Sequence, residues 1–491
     1  MMRQMSKPGL ALLASVALAA CAPPDQVARL SDPKAGFAEV RNPARTILGK
    51  DTVMLTSAAD IEANAKRVHA LVHGKTIDAD TAVQVALLNN RGLQSAYARL
   101  GVSSADVWQS IMQPNPVASL GVFQIGADGL NGYGTLEGMI AFNLFAAFTQ
   151  QDRTRQAELR FSQSQLQAVE ETLRVAVDTR RAWVEAVSAF ETAGLIRQAQ
   201  ETADAGSELA ARLGDTGYLN KAEQAREHAF HAELSGQLAK ARLDAQLTKE
   251  ALTRQLGLWG GEVDYYVPNA LPRLPARVAD RSDIEAQALG NRVDLLIARL
   301  ELQDLAQARG MTNATRFVSD LELIVGAEAE RENDGGSLQS ETTPQLELEF
   351  AIPIFDSGKA RLKKAEAAYM IAAHDLAQRA VNVRSEARSA QAALVGSHRI
   401  ARHYRDAVLP LRKTVEEEAL LSYNGMITST FELLADTRAR TNANLTEAQA
   451  RRDFWLADAN LLAAIHGGGG GMQSSGVGGG AEIAGDAGAG H

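Results

Sequence analysis

Apolar and polar positions recur with two different periods along the chain. Over most of its length an apolar residue returns every three or four positions, which predicts amphipathic helices. In the first long segment the apolar positions form two stripes of mainly heptad spacing, a pattern typical of helices that pack side by side in coiled coils. One stripe is Leu159, Leu166, Leu173 and Val187, and the other is Val169, Ala176, Trp183 and Phe190. We therefore expect a chain that is mainly α-helical.

Four shorter segments alternate with period two, and we predict them as strands with two different faces. They are residues 117–125, 138–145, 317–329 and 345–355. In the last segment Leu346, Leu348 and Phe350 point one way, and the residues between them, which include Glu347 and Glu349, point the other way. The last two segments flank "NDGGS" (333–337), which predicts an antiparallel hairpin with a longer loop. The first two alternate less clearly and are joined across "GADGLNGYG" (126–134).

The same order of elements occurs twice. The segments 86–107 and 288–308 resemble each other, and each opens a predicted helix of about 30 residues. Strand-like sequence, a long helix, a glycine turn and a shorter helix then follow in both halves. The predicted boundaries are long helices at 149–213 and 358–422, and shorter helices at 219–257 and 428–465. These elements give a first repeat at 76–262, a Pro-rich linker at 263–283 and a second repeat at 284–466.

The two ends of the chain have other compositions. Residues 1–20 carry Arg3 and Lys7 before a short apolar run, the pattern of a signal peptide. The run ends in "LAAC", which resembles the bacterial lipobox, so Cys21, the only cysteine, is expected to be lipidated; an ordinary signal peptide is the alternative. Resemblance to lipoproteins also implies that Ala22 favours sorting to the outer membrane. We predict an extended lipidated segment at 21–75 and a disordered Gly-rich tail at 467–491.

Composition and motifs narrow the function further. The chain has 491 residues, 46% of them apolar, and a net charge of −9 with no evident basic block, which argues against nucleic acid as a partner. The absence of a P-loop, a G-x-S-x-G elbow and an HExxH motif argues against an enzyme. His69 and His73, like His228 and His231, are spaced to chelate a metal on a helix, but each pair lacks a third ligand. We expect surface histidines, no metal and no cofactor beyond the lipid on Cys21.

Several stretches resemble the TolC-like outer-membrane efflux channel family. "PIFDSGKAR" (353–361) resembles its strand-to-helix junction, the lipobox resembles that of lipidated members, and 212–227 and 423–439 resemble its two periplasmic tips. The resemblance covers about residues 76–466 and depends mostly on the duplicated order of elements. It implies a homotrimer with a twelve-stranded β-barrel in the outer membrane of a Gram-negative bacterium, continued by a twelve-helix tunnel. It also implies docking to a periplasmic adaptor and an inner-membrane pump.

The sequence departs from the family at three places. The first junction, 142–153, lacks the Pro and Gly of the second. The usual Asn-Pro near the start of each half is replaced by Asn90-Arg91-Gly92 and Asn291-Arg292-Val293. The family's acidic gate positions fall on Phe431 and Leu434.

The resemblance assigns candidate roles to three groups of residues. Gly217 and Gly425 would make the tip turns and contact the adaptor. An acidic gate would use the carboxylates near the tips: Glu223, Glu432 and Asp436. The pore lumen would be lined by the polar strand faces: Asp320, Glu322, Glu347 and Glu349, with Glu328 and Glu330 either in the lumen or in extracellular loops.

A rival interpretation is a periplasmic lipoprotein scaffold, a coiled-coil rod tethered at Cys21 with a soluble sheet. Open sheet edges cannot lie in lipid, so four strands must either close a barrel by oligomerisation or stay out of the membrane. An apolar band on all four strands favours the channel. The cargo, whether drug, metal cation or polypeptide, is left open by the sequence.

Overall fold

In a computed structural model of the chain, the described residues are 24–125, 133–217, 220–318, 320–334, 337–425 and 430–469. The predicted signal peptide, Cys21 and nearly all of the Gly-rich tail lie outside these ranges. The helices before the sheet are α1 (Pro24–Leu30), α2 (Phe37–Leu48), α3 (Ala58–Val72), α4 (Ala79–Asn89) and α5 (Arg91–Ile111). The segment 24–75 is therefore helical over much of its length, and the extended conformation predicted for it is wrong.

Short helices with local caps explain why this segment shows only weak periodicity. Ser57 accepts a hydrogen bond from the Asp60 N–H at the start of α3. The Lys34 ammonium hydrogen-bonds the Asp60 carboxylate and lowers its pKa to about 2. Val40 and Val68 are fully buried, and α2 packs on the first long helix. Each helix presents only one or two turns of apolar face, too few for a clear repeat along the sequence.

The structure divides each helix that opens a repeat into two. After α4 the chain breaks at Asn90 and continues as α5, and the second half has the same break at Arg292, between α9 (Ile284–Asn291) and α10 (Val293–Thr315). Asn90 restarts the helix by accepting a hydrogen bond from the Leu93 N–H. Arg292 instead donates to Asp294 at 2.7 Å and to Glu386 at 2.5 Å. Ion pairs of Arg292 thus stabilise the second break, whereas a side-chain cap stabilises the first.

Four strands form one antiparallel sheet in chain order, β1-β2-β3-β4. They are β1 (Val117–Ile125), β2 (Tyr133–Asn143), β3 (Leu321–Asp334) and β4 (Ser337–Phe350). β1 matches its prediction, β2 begins earlier, and the second hairpin is shifted toward its turn. Its strands pair as far as Asp334 and Ser337, so most of the predicted loop is strand, whereas residues 351–355 are not, because β3 provides no partner beyond Phe350.

The long helices begin close to the sheet. A short helix α6 (Leu144–Phe148) leads into α7 (Gln150–Asp215), which is 66 residues long and therefore about 100 Å in length. A shorter helix α8 (Lys221–Leu256) follows. In the second half these elements are α11 (Lys359–His403), a π-helical turn (Tyr404–Val408), α12 (Leu409–Asn424) and α13 (Thr430–His466).

The second long helix, predicted at 358–422, therefore runs from Lys359 to Asn424 and contains one π-helical turn. Pro410 has no N–H for an intrahelical hydrogen bond, and the wider π turn lies directly before it. No helix within the described ranges has an apolar stretch long enough to cross a bilayer.

The helices pack as a layer in the order α8, α7, α13, α11. Most of the heptad residues predicted on α7, including Val169, Leu173, Trp183 and Val187, are buried in a core formed with the N-terminal helices. A second core joins α9 to α11 and α13. This order leaves α8 and α11 at the two open edges of the layer, as β1 and β4 are at the edges of the sheet.

The linker crosses this layer and is fastened to it by side chains. Leu271 N–H donates to the buried Glu191 of α7, and Trp455 of α13 donates to the Pro272 carbonyl oxygen. Arg451 of α13 pairs with Glu191 at 2.5 Å and with Glu447 at 3.2 Å. The linker therefore has little regular structure yet joins α7 to α13 through a buried charged cluster of Glu191, Glu447 and Arg451.

Candidate functional site

The register of the sheet sorts its residues onto two chemically different faces. Glu322 lies opposite Glu349, Ile324 opposite Glu347, and Leu323 opposite Leu348. Among the residues whose side chains the structure describes, the acidic face carries seven carboxylates: Glu137, Glu322, Glu328, Glu330, Glu341, Glu347 and Glu349. The apolar face carries mainly aliphatic and aromatic residues: Leu120, Val122, Leu136, Ile140, Phe142, Leu321, Leu323, Val325, Leu346, Leu348 and Phe350. The alternation predicted from the sequence thus separates the two faces on β2, β3 and β4, whereas β1 carries Phe123 and Ile125 on the acidic face.

Carboxylates on the acidic face lie directly opposite one another in three cross-strand pairs. They are Glu137 with Glu328, Glu322 with Glu349, and Glu330 with Glu341. Like charges in opposed positions destabilise a sheet, unless water and counterions solvate them. This face is therefore suited to an aqueous surface.

The structure brings together most of the residues predicted to line the lumen. Glu322, Glu347 and Glu349 share the acidic face, whereas Asp320 lies just before β3 and outside the paired strands. Glu328 and Glu330 lie inside β3. The prediction missed Glu137 and Glu341. The second strand was predicted to begin at residue 138, directly after Glu137, and Glu341 lay between the predicted loop (333–337) and the predicted fourth strand (345–355). Correct register would have identified both.

The apolar face is exposed in the described chain. Leu120 is 76% exposed and Leu346 is 74% exposed, and Leu348 and Phe350 are also exposed. An exposed apolar surface that extends over four strands is rare on a soluble monomer and marks contact with lipid or another protein. The polar and apolar faces together are the arrangement of a membrane strand.

The junction after β4 depends on Gly358. Its φ of 70° is in the left-handed region, and a Cβ atom there would lie 2.9 Å from the Arg316 carbonyl oxygen. Asp356 accepts a hydrogen bond from the Gly358 N–H at 2.8 Å, which tightens the turn. The N-cap of α11 is Gly358, and no side chain caps this helix.

The two predicted tip glycines differ in conformation. Gly217, after α7, has a φ of 80° and donates its N–H to the Gly214 carbonyl oxygen. Gly425, after α12, has a φ of −80°, which any L-residue adopts. The expectation that both turns need a glycine backbone therefore holds only for Gly217, and adaptor contact at either residue stays a prediction.

We expect Gly217→Ala to destabilise the first tip by about 1–2 kcal/mol, because a Cβ atom is disfavoured in the left-handed region. Gly217→Asn should lose much less, since asparagine tolerates this conformation, and Gly425→Ala should change little. Amide hydrogen exchange in 205–225 measures the effect. Equal exchange in all three variants would contradict the assigned backbone role.

The predicted gate carboxylates occupy different settings. Glu223 accepts a hydrogen bond from the Asn220 N–H, while Asn220 caps α8 in return. Glu432 and Asp436 lie one turn apart near the start of α13. Glu223 thus has a local structural role, and its part in a gate stays a prediction, as it does for the other two.

A charged contact that the sequence did not reveal joins α8 to α13. Glu227 is 6% exposed and accepts two hydrogen bonds of 3.0 Å from Arg438. The Arg438 guanidinium also lies over the Phe230 ring, 3.8 Å from its centre. In the sequence this contact is indicated only by Glu227, a carboxylate on the buried side of α8. A buried carboxylate needs a cation, which another element must supply.

The histidine pairs take part in local contacts. The His69 and His73 rings stack at 4.4 Å on the surface of α3. His228 hydrogen-bonds Ser207 at 2.6 Å, and His231 pairs with Asp204, so both fasten α8 to α7. Within the ranges that the structure describes, no group of three or more His, Cys, Asp or Glu residues is arranged to hold a metal.

Comparison with solved structures identifies the fold. No protein-family model matches the sequence, and no curated protein matches it. The Campylobacter jejuni CmeC outer membrane channel is 19% identical with a TM-score of 0.62, over 79% of this chain and 86% of that chain. The Vibrio cholerae outer membrane protein VceC is 16% identical with a TM-score of 0.62, over 79% and 96%.

The open state of the Neisseria gonorrhoeae MtrE outer membrane channel is 14% identical with a TM-score of 0.61, over 79% of this chain and 88% of that chain. The similarity to each of the three extends over most of this chain. At these identities it bears on architecture, and it agrees with the resemblance found in the sequence. The chain has the fold of the TolC-like outer-membrane channels.

Proposed function

We propose that the protein is the outer-membrane channel of a tripartite efflux or export system. It is a passive conduit from periplasm to exterior, without catalytic chemistry, and its tips dock to a periplasmic adaptor and an inner-membrane transporter. The observation that carries this proposal is the two-faced sheet, apolar on one side and acidic on the other, which continues directly into helices about 100 Å long.

The open edges of the chain support a trimer. Within the described part of the chain, β1 and β4 each lack a partner on one side, and such edges must be paired before a sheet can enter lipid. The edge helix α8 exposes Leu243 and Leu247, and the edge helix α11 exposes Ile371 and Val381. If β1 and α8 of one chain pack against β4 and α11 of the next, three chains close a twelve-stranded barrel and a twelve-helix tunnel.

The position of the N-terminus supports a lipid anchor at Cys21. α1 packs against α5, which ends at Ile111, six residues before β1. Cys21 precedes Pro24 by three residues, a reach of about 10 Å when extended. A lipid on Cys21 would therefore enter the same membrane as the apolar face of the sheet.

Conductance in planar bilayers tests the channel. We expect the full chain to form trimers that conduct ions with a preference for cations, because rings of carboxylates would line the lumen. Glu347→Gln with Glu349→Gln should reduce this preference while leaving the trimer intact. The matched control Glu39→Gln with Glu62→Gln removes two exposed carboxylates from α2 and α3 and should leave selectivity unchanged.

Two results would overturn the proposal. The first is a folded monomer without conductance, which is the expectation for a periplasmic scaffold. The second is an anion preference, which would remove the acidic face from the lumen.

A further inference from the structure

A basic cluster lies where the sheet gives way to the second long helix. The first two turns of α11 carry four exposed cations, Lys359, Arg361, Lys363 and Lys364, in a chain whose net charge is −9. A fifth, Arg316, lies beside them, because its backbone packs against Gly358 at the N-cap of α11. We refer to these five residues as the junction cluster.

The junction cluster opposes the ordinary electrostatics of a helix. The N-terminus of a helix carries a partial positive charge, so carboxylates stabilise it and cations destabilise it. α11 has no acidic residue in its first turn. Arg361 lies 3.9 Å from the Asp356 carboxylate, which precedes the helix. Helix formation does not account for four cations at this position, whereas an external anionic surface does.

Apolar side chains border the junction cluster on the side of the sheet. Ile354 is 75% exposed and Phe355 is fully exposed. Phe317, also exposed, lies under the Arg316 guanidinium at 4.3 Å. Ile352 and Ile354 continue the alternation of the apolar face beyond the last paired residue of β4. The surface thus changes from apolar to aromatic to cationic within about fifteen residues of the chain.

This order matches the profile of a membrane surface. Apolar residues belong in the hydrocarbon core, aromatic residues at the interface and cations among anionic headgroups. From Lys359 to Lys364 the helix rises by about 7.5 Å. The polar region on each side of a bilayer is about 5–8 Å thick. The junction cluster therefore covers the depth of one headgroup layer.

We propose that the junction cluster binds the phosphates of anionic phospholipids in the periplasmic leaflet of the outer membrane. Ile352, Ile354 and Phe355 enter the acyl region, and the cations fix the depth of the barrel by holding headgroups around the junction. This inference depends on the proposed membrane insertion of the sheet, and it adds a lipid class and a binding surface to it.

The test compares lipid preference between two matched triple variants. Lys359→Gln, Lys363→Gln and Lys364→Gln together remove three cations from the junction. Arg399→Gln, Arg412→Gln and Lys413→Gln remove three exposed cations from the tip-ward part of the same long helix. Full-length protein is reconstituted in phosphatidylcholine nanodiscs with and without about one-third phosphatidylglycerol, and lipids retained on the protein are counted by native mass spectrometry.

We expect the wild type and the control variant to retain phosphatidylglycerol over phosphatidylcholine by about tenfold, and the junction variant to lose most of that preference. The preference should weaken with added salt. An equal preference in both triple variants would overturn the proposal, as would displacement of the lipid by millimolar inorganic phosphate. A changed ion selectivity with unchanged lipid retention would place these cations in the lumen and also overturn it.

Conductance of the same preparations separates this inference from the proposed function. If the wild type conducts but shows no lipid preference, lipid binding by the junction cluster is refuted and the proposed channel function is not. If the wild type forms no conducting trimer, the proposed function itself is refuted.

Discussion

Val325→Lys is expected to abolish insertion of the chain into the outer membrane. Val325 lies in β3 at the middle of the apolar face, opposite Ile140 of β2 and Leu346 of β4. A lysine facing lipid near the bilayer midplane costs about 2–4 kcal/mol, and in a trimer three copies would cost about 6–12 kcal/mol. We expect the variant to be lost from detergent-extracted outer membranes and to give no heat-sensitive trimers on unboiled gels.

The neighbouring residue provides the matched control. Ile324 lies on the acidic face, where its β4 partner is Glu347. A lysine there would face an opposite charge across the strands, an arrangement that stabilises a sheet. Ile324→Lys should therefore insert normally and reduce cation preference in bilayers. Normal insertion of both variants would show that the apolar face does not meet lipid.

The contrast between Val325 and Ile324 also shows what the sequence could predict. Alternation with period two gives the face of a residue without any knowledge of its partner strand. The same is true of α7, where heptad spacing predicted the burial of Leu173, Trp183 and Val187. Patterns that repeat over many residues are redundant, so they survive an error of a few residues at either end.

Repeating patterns do not predict features that depend on a single residue or on a partner distant in the sequence. The ends of β3 and β4 depend on where two strands cease to pair, and the break at Arg292 depends on Glu386, 94 residues away. Gly425 was predicted to make a tip turn that needs glycine, but its φ of −80° is one that any L-residue adopts. The contact of Glu227 with Arg438 joins opposite halves of the chain, and no local signal names the partner.

The largest effect on stability is expected at another long-range contact. Arg451→Leu removes the cation from the buried charged cluster and leaves Glu191 and Glu447 with side chains only 10% and 12% exposed. Breaking a buried pair by removing one partner costs about 3–5 kcal/mol, because the remaining charge stays desolvated. We expect a lower midpoint of thermal unfolding, followed by circular dichroism in detergent, and faster proteolysis of the linker that Glu191 holds.

The pH dependence of this variant follows from the burial of Glu447. Burial raises the pKa of this carboxyl above its ordinary value, and the Arg451 charge opposes that rise. Without Arg451 the pKa of Glu447 should rise further. Ionisation of Glu447 should then destabilise the folded variant more as the pH increases above that pKa. We therefore expect the deficit of Arg451→Leu to shrink as the pH falls below 7 and the Glu447 carboxyl takes up a proton.

The adjacent residue separates this effect from a general loss of charge. Arg452 pairs only with its neighbour Asp453 at 2.8 Å among the ion pairs described, and its side chain is 40% exposed. Arg452→Leu removes the same charge from the same turn of α13 but leaves no buried carboxylate unpaired, so it should cost about 1 kcal/mol or less. Equal destabilisation by both variants, with no difference in pH dependence, would mean that the charged cluster is not what joins α7, α13 and the linker. A loss of stability that is confined to Arg451→Leu and relieved at low pH would show that Glu191, Glu447 and Arg451 join these three elements. Loss of an exposed ion pair would not give this pH dependence, because its carboxylate stays solvated.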